Sequence, residues 1–221
     1  DIIKAVHGVK IDIDTIPLDD EKTFALLGRG ETTGVFQLES DGMKRYIREL
    51  KPTEFEDIVA MVALYRPGPL SAGMVPQYIR RKNKKEKVEF DHPLMKEILQ
   101  ETYGVTIYQE QIMKISRLLA GFTAGEADTL RKAMGKKKHE ILAKMYTSFI
   151  DGCKKNGVSE KIAKKIWTDW EGFADYAFNK SHAACYGIIS YRTAYLKAHY
   201  TPEFMAAVMN SDLGSIDRIT I

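Results

Sequence analysis

The residues Phe122 to Lys138, FTAGEADTLRKAMGKKK, leave the chain few ways to fold. Thr123 and Glu126 stand three apart, the spacing of a capping box. The threonine hydroxyl accepts from the third helical N–H, and the glutamate reaches back to the N–H of the cap. Ala127, Leu130, Ala133 and Met134 follow at helical spacing. Gly135 is the expected stop, because a residue just past a helix end often needs positive φ. The same punctuation recurs along the chain. Thr53 and Glu56 form a second box, Ser40, Ser159 and Ser181 stand where caps are needed, and Gly28, Gly121 and Gly157 stand as stops. A chain so punctuated is mainly α.

In order, helices are expected from Asp19 or Asp20 to Leu27, from Ser40 to Leu50, and from Thr53 to about Tyr65. Arg66-Pro67-Gly68-Pro69 reads as a rigid corner. Further helices are expected over Val75–Lys82, from Asp91 or His92 to Glu101, and over Gln109–Ala120 with Ile112, Ile115, Leu118 and Leu119 inward. Three more follow: His139–Asn156, Ser159 through Trp170, and Ser181 through His199, before Thr201-Pro202 restarts a last one. Val35–Leu38 reads as a buried strand or turn and Val105–Tyr108 as strand-like, so the expectation is an irregular multi-helix domain with two or three very short strands. Gly172–Lys180 reads as an aromatic-rich turn.

At 221 residues and 44% hydrophobic composition the chain can bury a real core. No apolar run is long enough to cross a bilayer and the N-terminus lacks a signal-peptide pattern, so no membrane role is expected. Cys153 and Cys185 lie far apart and form no metal or redox motif; a cytoplasmic setting with reduced thiols is expected. Asp12 and Asp14 share one side of an extended segment, but such acidic pairs are common on surfaces and carry no metal expectation. No nucleophile–base triad or phosphate-binding glycine loop is present.

The net charge of +3 says little; its distribution says more. Arg131, Lys132, Lys136, Lys137 and Lys138 crowd five cations around one helix end. They suit a solvated face at the negative end of a helix dipole, or a phosphate grip with arginine as the fork and lysines as point charges. Arg80, Arg81, Lys82, Lys84, Lys85 and Lys87 form a second patch in one eight-residue run. Asn179-Lys180-Ser181-His182 opens a long helix, where backbone N–H groups and the dipole favour an anion.

Five segments taken together carry a resemblance: VFQLES (Val35–Ser40) with Gly42-Met43 after it, ALYRPGPL (Ala63–Leu70), YGVTIYQEQIM (Tyr103–Met113), LRKAMGKK (Leu130–Lys137) and FNKSHAACYGIISYRTAYLKAHYTPEF (Phe178–Phe204). Their order and spacing resemble the alpha-subunit family of bacterial DNA polymerase III, the C-family replicative polymerases. The likeness runs from about Asp14 to Asp212 and maps to the fingers region. Residues 1–34 then resemble the junction with the palm, 35–212 the fingers, and 213–221 the start of the next part.

The resemblance implies a template-directed nucleotidyl transferase. Primer–template DNA, deoxynucleoside triphosphates and the other holoenzyme subunits would be partners of the parent protein. Two Mg2+ ions would be held by palm aspartates that lie outside this chain; Asp12 and Asp14 do not match that motif, so the piece is expected to bind no metal and to be inactive alone. Arg131, Lys132, Lys136, Lys137, Lys180, Ser181 and His182 become candidates for the incoming triphosphate. Arg66, Arg80, Arg81, Lys82, Lys84 and Lys85 become candidates for the DNA backbone. The alternative is a non-catalytic helical module that binds DNA backbone or serves assembly. Cys185 and Gly187 depart from the family's alanine-rich form, and Gly187 in mid-helix suggests close packing.

Overall fold

Capping and spacing place most helices where the sequence puts them. The computed structural model describes residues 1–136, 138–173 and 176–214, the side chains of His139 and Phe173 excepted. Lys137, part of the aromatic-rich turn and the last residues of the chain lie outside these. The path begins with α1 (Ile2–His7), α2 (Glu21–Gly28), α3 (Asp41–Leu50) and α4 (Phe55–Leu64). It continues with α5 (Pro67–Ser71), α6 (Met74–Lys82), α7 (Lys96–Leu99), α8 (Gln109–Ala120) and α9 (Ala124–Gly135). It ends with α10 (His139–Lys155), α11 (Glu160–Phe173), α12 (Lys180–His199) and α13 (Thr201–Ser211).

The chain divides into two compact units, one of residues 1–62 and 184 onward, the other of residues 63–183. In the first, Leu27, Leu38, Met43, Ile47 and Leu50 are fully buried. Tyr191 of α12 is buried with them; its ring meets Phe24 edge-on at 5.5 Å, and its hydroxyl accepts the Asp20 N–H at 2.8 Å. Gly187 packs as closely as its position suggested: a Cβ there would sit 3.1 Å from Val59 Cγ2. In the second unit the core gathers α8 to α11. Phe149 lies 5.4 Å from Trp167, 5.1 Å from Trp170 and 6.1 Å from Phe122, ring centre to ring centre.

Several expectations are corrected. No strand forms among the described residues. Val35–Leu38 forms turns that bury Val35 and Leu38 and leave Gln37 exposed, with Thr32 Oγ1 donating to Leu38 O at 2.6 Å. Val105–Tyr108 contributes only an isolated parallel bridge between Tyr108 and Phe178. α4 begins at Phe55, so the third helical residue is Asp57; its buried carboxylate, not that of Glu56, accepts the Thr53 and Glu54 N–H groups at 2.9 and 3.4 Å. The RPGP corner is the first turn of α5, with Pro67 at the first helical position, where the N–H would have no intrahelical partner.

On α8 the buried stripe runs through Gln111, Ile112, Ile115, Ser116 and Leu119, while Leu118 is 39% exposed. Gln111 is tolerated inside because its Oε1 accepts the Ile107 and Tyr108 N–H groups and its Nε2 donates to Thr102 Oγ1. Gly135 is the last residue of α9, not a left-handed stop. Lys136 follows as the C-cap with φ −111°, and the Lys138 N–H donates to Ala133 O at 3.0 Å. Asn179, not Ser181, caps α12: its Oδ1 accepts the His182 N–H at 2.8 Å. Gly121 and Gly157 are stops as expected, with φ of 70° and 76°.

Candidate nucleotide and nucleic-acid interface

The α9 arm forms with its capping box intact. Glu126 Oε2 accepts the Thr123 N–H at 2.8 Å, and Thr123 Oγ1 accepts the Glu126 N–H at 3.2 Å. Ala127, Leu130, Ala133 and Met134 are buried. That packing turns Asp128, Arg131 and Lys132 toward water. Arg131 donates through Nε and Nη2 to Asp128 Oδ1 at 3.0 and 2.8 Å. Lys132 Nζ reaches Asp128 Oδ2 at 2.7 Å. Lys132 first, and Arg131 with it, hold the Asp128 carboxyl below the usual carboxylate range. Lys136 is exposed just beyond. Lys137 lies outside the described residues.

At the start of α12 the expected anion position is filled by the protein itself. Glu110, in the first turn of α8, accepts the Lys180 N–H at 3.0 Å through one oxygen and Asn179 Nδ2 at 3.0 Å through the other. Lys180 Nζ pairs with Glu101 at 2.6 Å and stands 5.4 Å from the centre of the Tyr108 ring. Ser181 is exposed in the first turn, and His182, also exposed, meets the Phe178 ring at 5.4 Å. No hydrogen bond or ion pair joins Arg131, Lys132 or Lys136 to Lys180 or Ser181.

The basic run is folded back rather than extended. Lys85 and Glu86 both donate their N–H to Arg80 O, and Lys84 takes φ 57° to allow it. Glu86 thereby comes within 2.9 Å of Arg80 Nε and 2.8 Å of Arg81 Nε. Arg81 first, then Arg80, lower the Glu86 carboxyl. Arg81 also donates to Tyr103 O at 3.3 Å. Lys82 is half-buried at the end of α6. Lys84 and Lys85 are exposed and form no ion pair among the described residues.

Arg66 is turned inward. Its Nε donates to Ala63 O and its Nη2 to Tyr176 O, each at 2.7 Å, and its guanidinium lies 4.4 Å from the centre of the Phe178 ring. Burial pushes its pKa down. Its fork is used on the protein's own backbone.

Reading for cations alone misses the carboxylates. Asp128 could have been found, since it stands three and four residues before Arg131 and Lys132, where helical side chains meet. Glu110 and Glu101 are 70 and 79 residues from Lys180, and no local pattern pairs them.

Among the described residues no group of three or more His, Cys, Asp or Glu side chains could hold a metal ion. Asp12 and Asp14 do not converge: Asp12 Oδ1 accepts the Asp14 N–H, and Asp14 Oδ1 pairs with Arg192 at 2.9 Å. No described helix is long and apolar enough to cross a membrane.

Residues 1–157 match the model of the bacterial DNA polymerase III alpha subunit finger domain. The chain is 55% identical over 212 residues to the DNA polymerase III subunit alpha of Aquifex aeolicus, with 96% of the chain and 18% of that protein covered. The same subunit of Escherichia coli K12 is 51% identical over 214 residues, covering 95% of the chain and 18% of the relative. That of Thermus aquaticus is 52% identical over 223 residues, covering 99% and 18%. The chain thus spans less than a fifth of the length of these relatives. The chain belongs to the bacterial DNA polymerase III alpha-subunit family, and its residues 1–157 correspond to the finger domain.

Proposed function

We propose that this chain is the fingers of a replicative DNA polymerase, residues 35–212 forming them and residues 1–34 and 213–221 joining them to the rest of the parent. In this reading the α9 arm holds the phosphates of an incoming deoxynucleoside triphosphate, and the Arg80–Lys85 run lies along primer–template DNA. The observation that carries it is the convergence of Arg131 and Lys132 on one exposed oxyanion, Asp128. A triphosphate needs such cations where charge grows as pyrophosphate departs. Arg131 offers the fork and Lys132 and Lys136 the point charges.

The catalytic carboxylates and their Mg2+ belong to parts of the parent outside this chain, as do contacts with other holoenzyme subunits. The setting is the bacterial cytoplasm.

Calorimetric titration of the chain with a deoxynucleoside triphosphate tests the reading. Replacing Arg131, Lys132 and Lys136 together by Ala is expected to weaken binding by at least about tenfold, since each removed cation deletes a charge-assisted contact. A folded variant that binds as tightly as the original sinks the assignment of the arm.

A further inference from the structure

The α9 arm shares one construction with the other basic places of residues 63–183. Asp128 joins Arg131 to Lys132, Glu86 joins Arg80 to Arg81, and Glu110 occupies the start of α12. In each, a carboxylate is held by donors of the kind that also hold a phosphate oxygen. At the arm the geometry is the most complete. Both carboxylate oxygens are used, the arginine offers Nε and Nη2, and the three groups lie on one exposed helical face.

We propose that Asp128 is a built-in competitor for phosphate, a positioning residue that sets how many negative charges a ligand needs to engage Arg131 and Lys132. The inference rests on the phosphate-grip reading of the arm. Arg131, Lys132 and Asp128 are 32%, 61% and 37% exposed, and ion pairs in such solvent-screened positions are weak. A polyphosphate with several charges displaces one carboxylate. A monoanion gains nothing over it, because it offers the same single charge and must in addition be immobilised. Asp128 also keeps the arginine and lysine heads aimed at one point before a ligand arrives. Asn in its place keeps an oxygen acceptor there, so the aim is largely preserved while the competing charge is removed.

The test is calorimetric titration of the chain with inorganic tripolyphosphate at low ionic strength. Asp128→Asn is expected to bind about 3- to 10-fold more tightly, the range expected when two weak exposed pairs are removed. Asp151→Asn, on an exposed position of α10 and in no ion pair with Arg131 or Lys132, makes the same change in net charge and is expected to leave affinity within about twofold. With Arg131→Gln and Lys132→Gln already in place, adding Asp128→Asn is expected to give no gain, because the groups it restrains are gone. The proposal is overturned if Asp128→Asn gains no more than Asp151→Asn, or if its gain survives without Arg131 and Lys132. Loss of binding on removing the two cations, with no gain from Asp128→Asn, keeps the grip and removes only the competitor. Absence of binding in both the original and Asp128→Asn, with helical circular dichroism intact, removes the grip and the competitor together.

Discussion

Arg66 commits its guanidinium to two backbone carbonyls and an aromatic face, all within residues 63–183. Beside it, Gly68 leaves room that no side chain could share: a Cβ there would stand 2.1 Å from Tyr176 Cε1. Arg66 and Gly68 thus fix the turn at Tyr176–Phe178 on one side. On the other, Phe178 exchanges hydrogen bonds with Ile107 and Gln109 at 3.0 and 2.9 Å. This turn delivers Asn179 and Lys180, so Arg66 acts on the start of α12 from a distance. Lys at position 66 keeps the charge but loses the fork. Arg66→Lys is expected to cost about 1.5 to 3 kcal/mol, the value of one hydrogen bond to a charged group. The urea midpoint at constant slope measures this. An unchanged midpoint would return Arg66 to the surface role that the sequence suggested.

Helix α8 meets α10 at a point set by one glycine. A Cβ on Gly152 would stand 2.0 Å from Ala120 O and 2.8 Å from its carbonyl carbon, and backbone cannot swing aside as a side chain can. Cys153, next in line, is buried, and burial pushes its thiol up to about 11, so it serves as a small apolar filler at that crossing. Gly152→Ala gains helix propensity of about 1 kcal/mol. It also overpacks the crossing, at about 1 to 3 kcal/mol or more. The second term is expected to win and lower the thermal midpoint. Gly125→Ala is the contrast: it lies in the first turn of α9 with no atom within 4 Å of an added Cβ, so propensity acts alone and the midpoint is expected to rise. Equal shifts in the two variants would mean that α8 and α10 are not held as closely as described.

Over the molecule as a whole, 33 basic residues stand against 30 acidic ones. Many of the exposed cations are answered locally: Glu160 bridges Lys154 and Lys164, and Lys165 lies between Asp91 and Asp169. A polyanion therefore meets a surface whose long-range field is weak, and on it Lys84 and Lys85 are exposed cations with no ion pair among the described residues. On the proposed DNA role, each lysine that neutralises a phosphate of a duplex contributes about 0.9 to the slope of log affinity against log salt. Changing Lys84 and Lys85 together to Ala is expected to flatten that slope by up to about 2, read from binding of a duplex oligonucleotide across a salt series. A parallel but weaker line would mean that they act on folding and not on DNA.

Helix identity was legible in the chain because it is local. The Thr123–Glu126 box, the left-handed glycines at 121 and 157, and the apolar spacing of α9 and α10 each involve residues within a turn or two of one another. The basic arm was legible for the same reason, and so, in principle, was Asp128 one helical turn earlier. The segment order was distinctive enough to point to the family. What local reading could not settle was which of two nearby residues takes a role, Asp57 or Glu56, Asn179 or Ser181, or that Gln111 is inside while Leu118 is exposed. Those choices depend on where a helix begins against its surroundings and on which polar group can be satisfied inside. Packing also turned Arg66 inward, onto partners at Tyr176 and Phe178 more than a hundred residues away. It placed Glu110 at the start of α12, because charges distant in sequence find each other only after the core has closed.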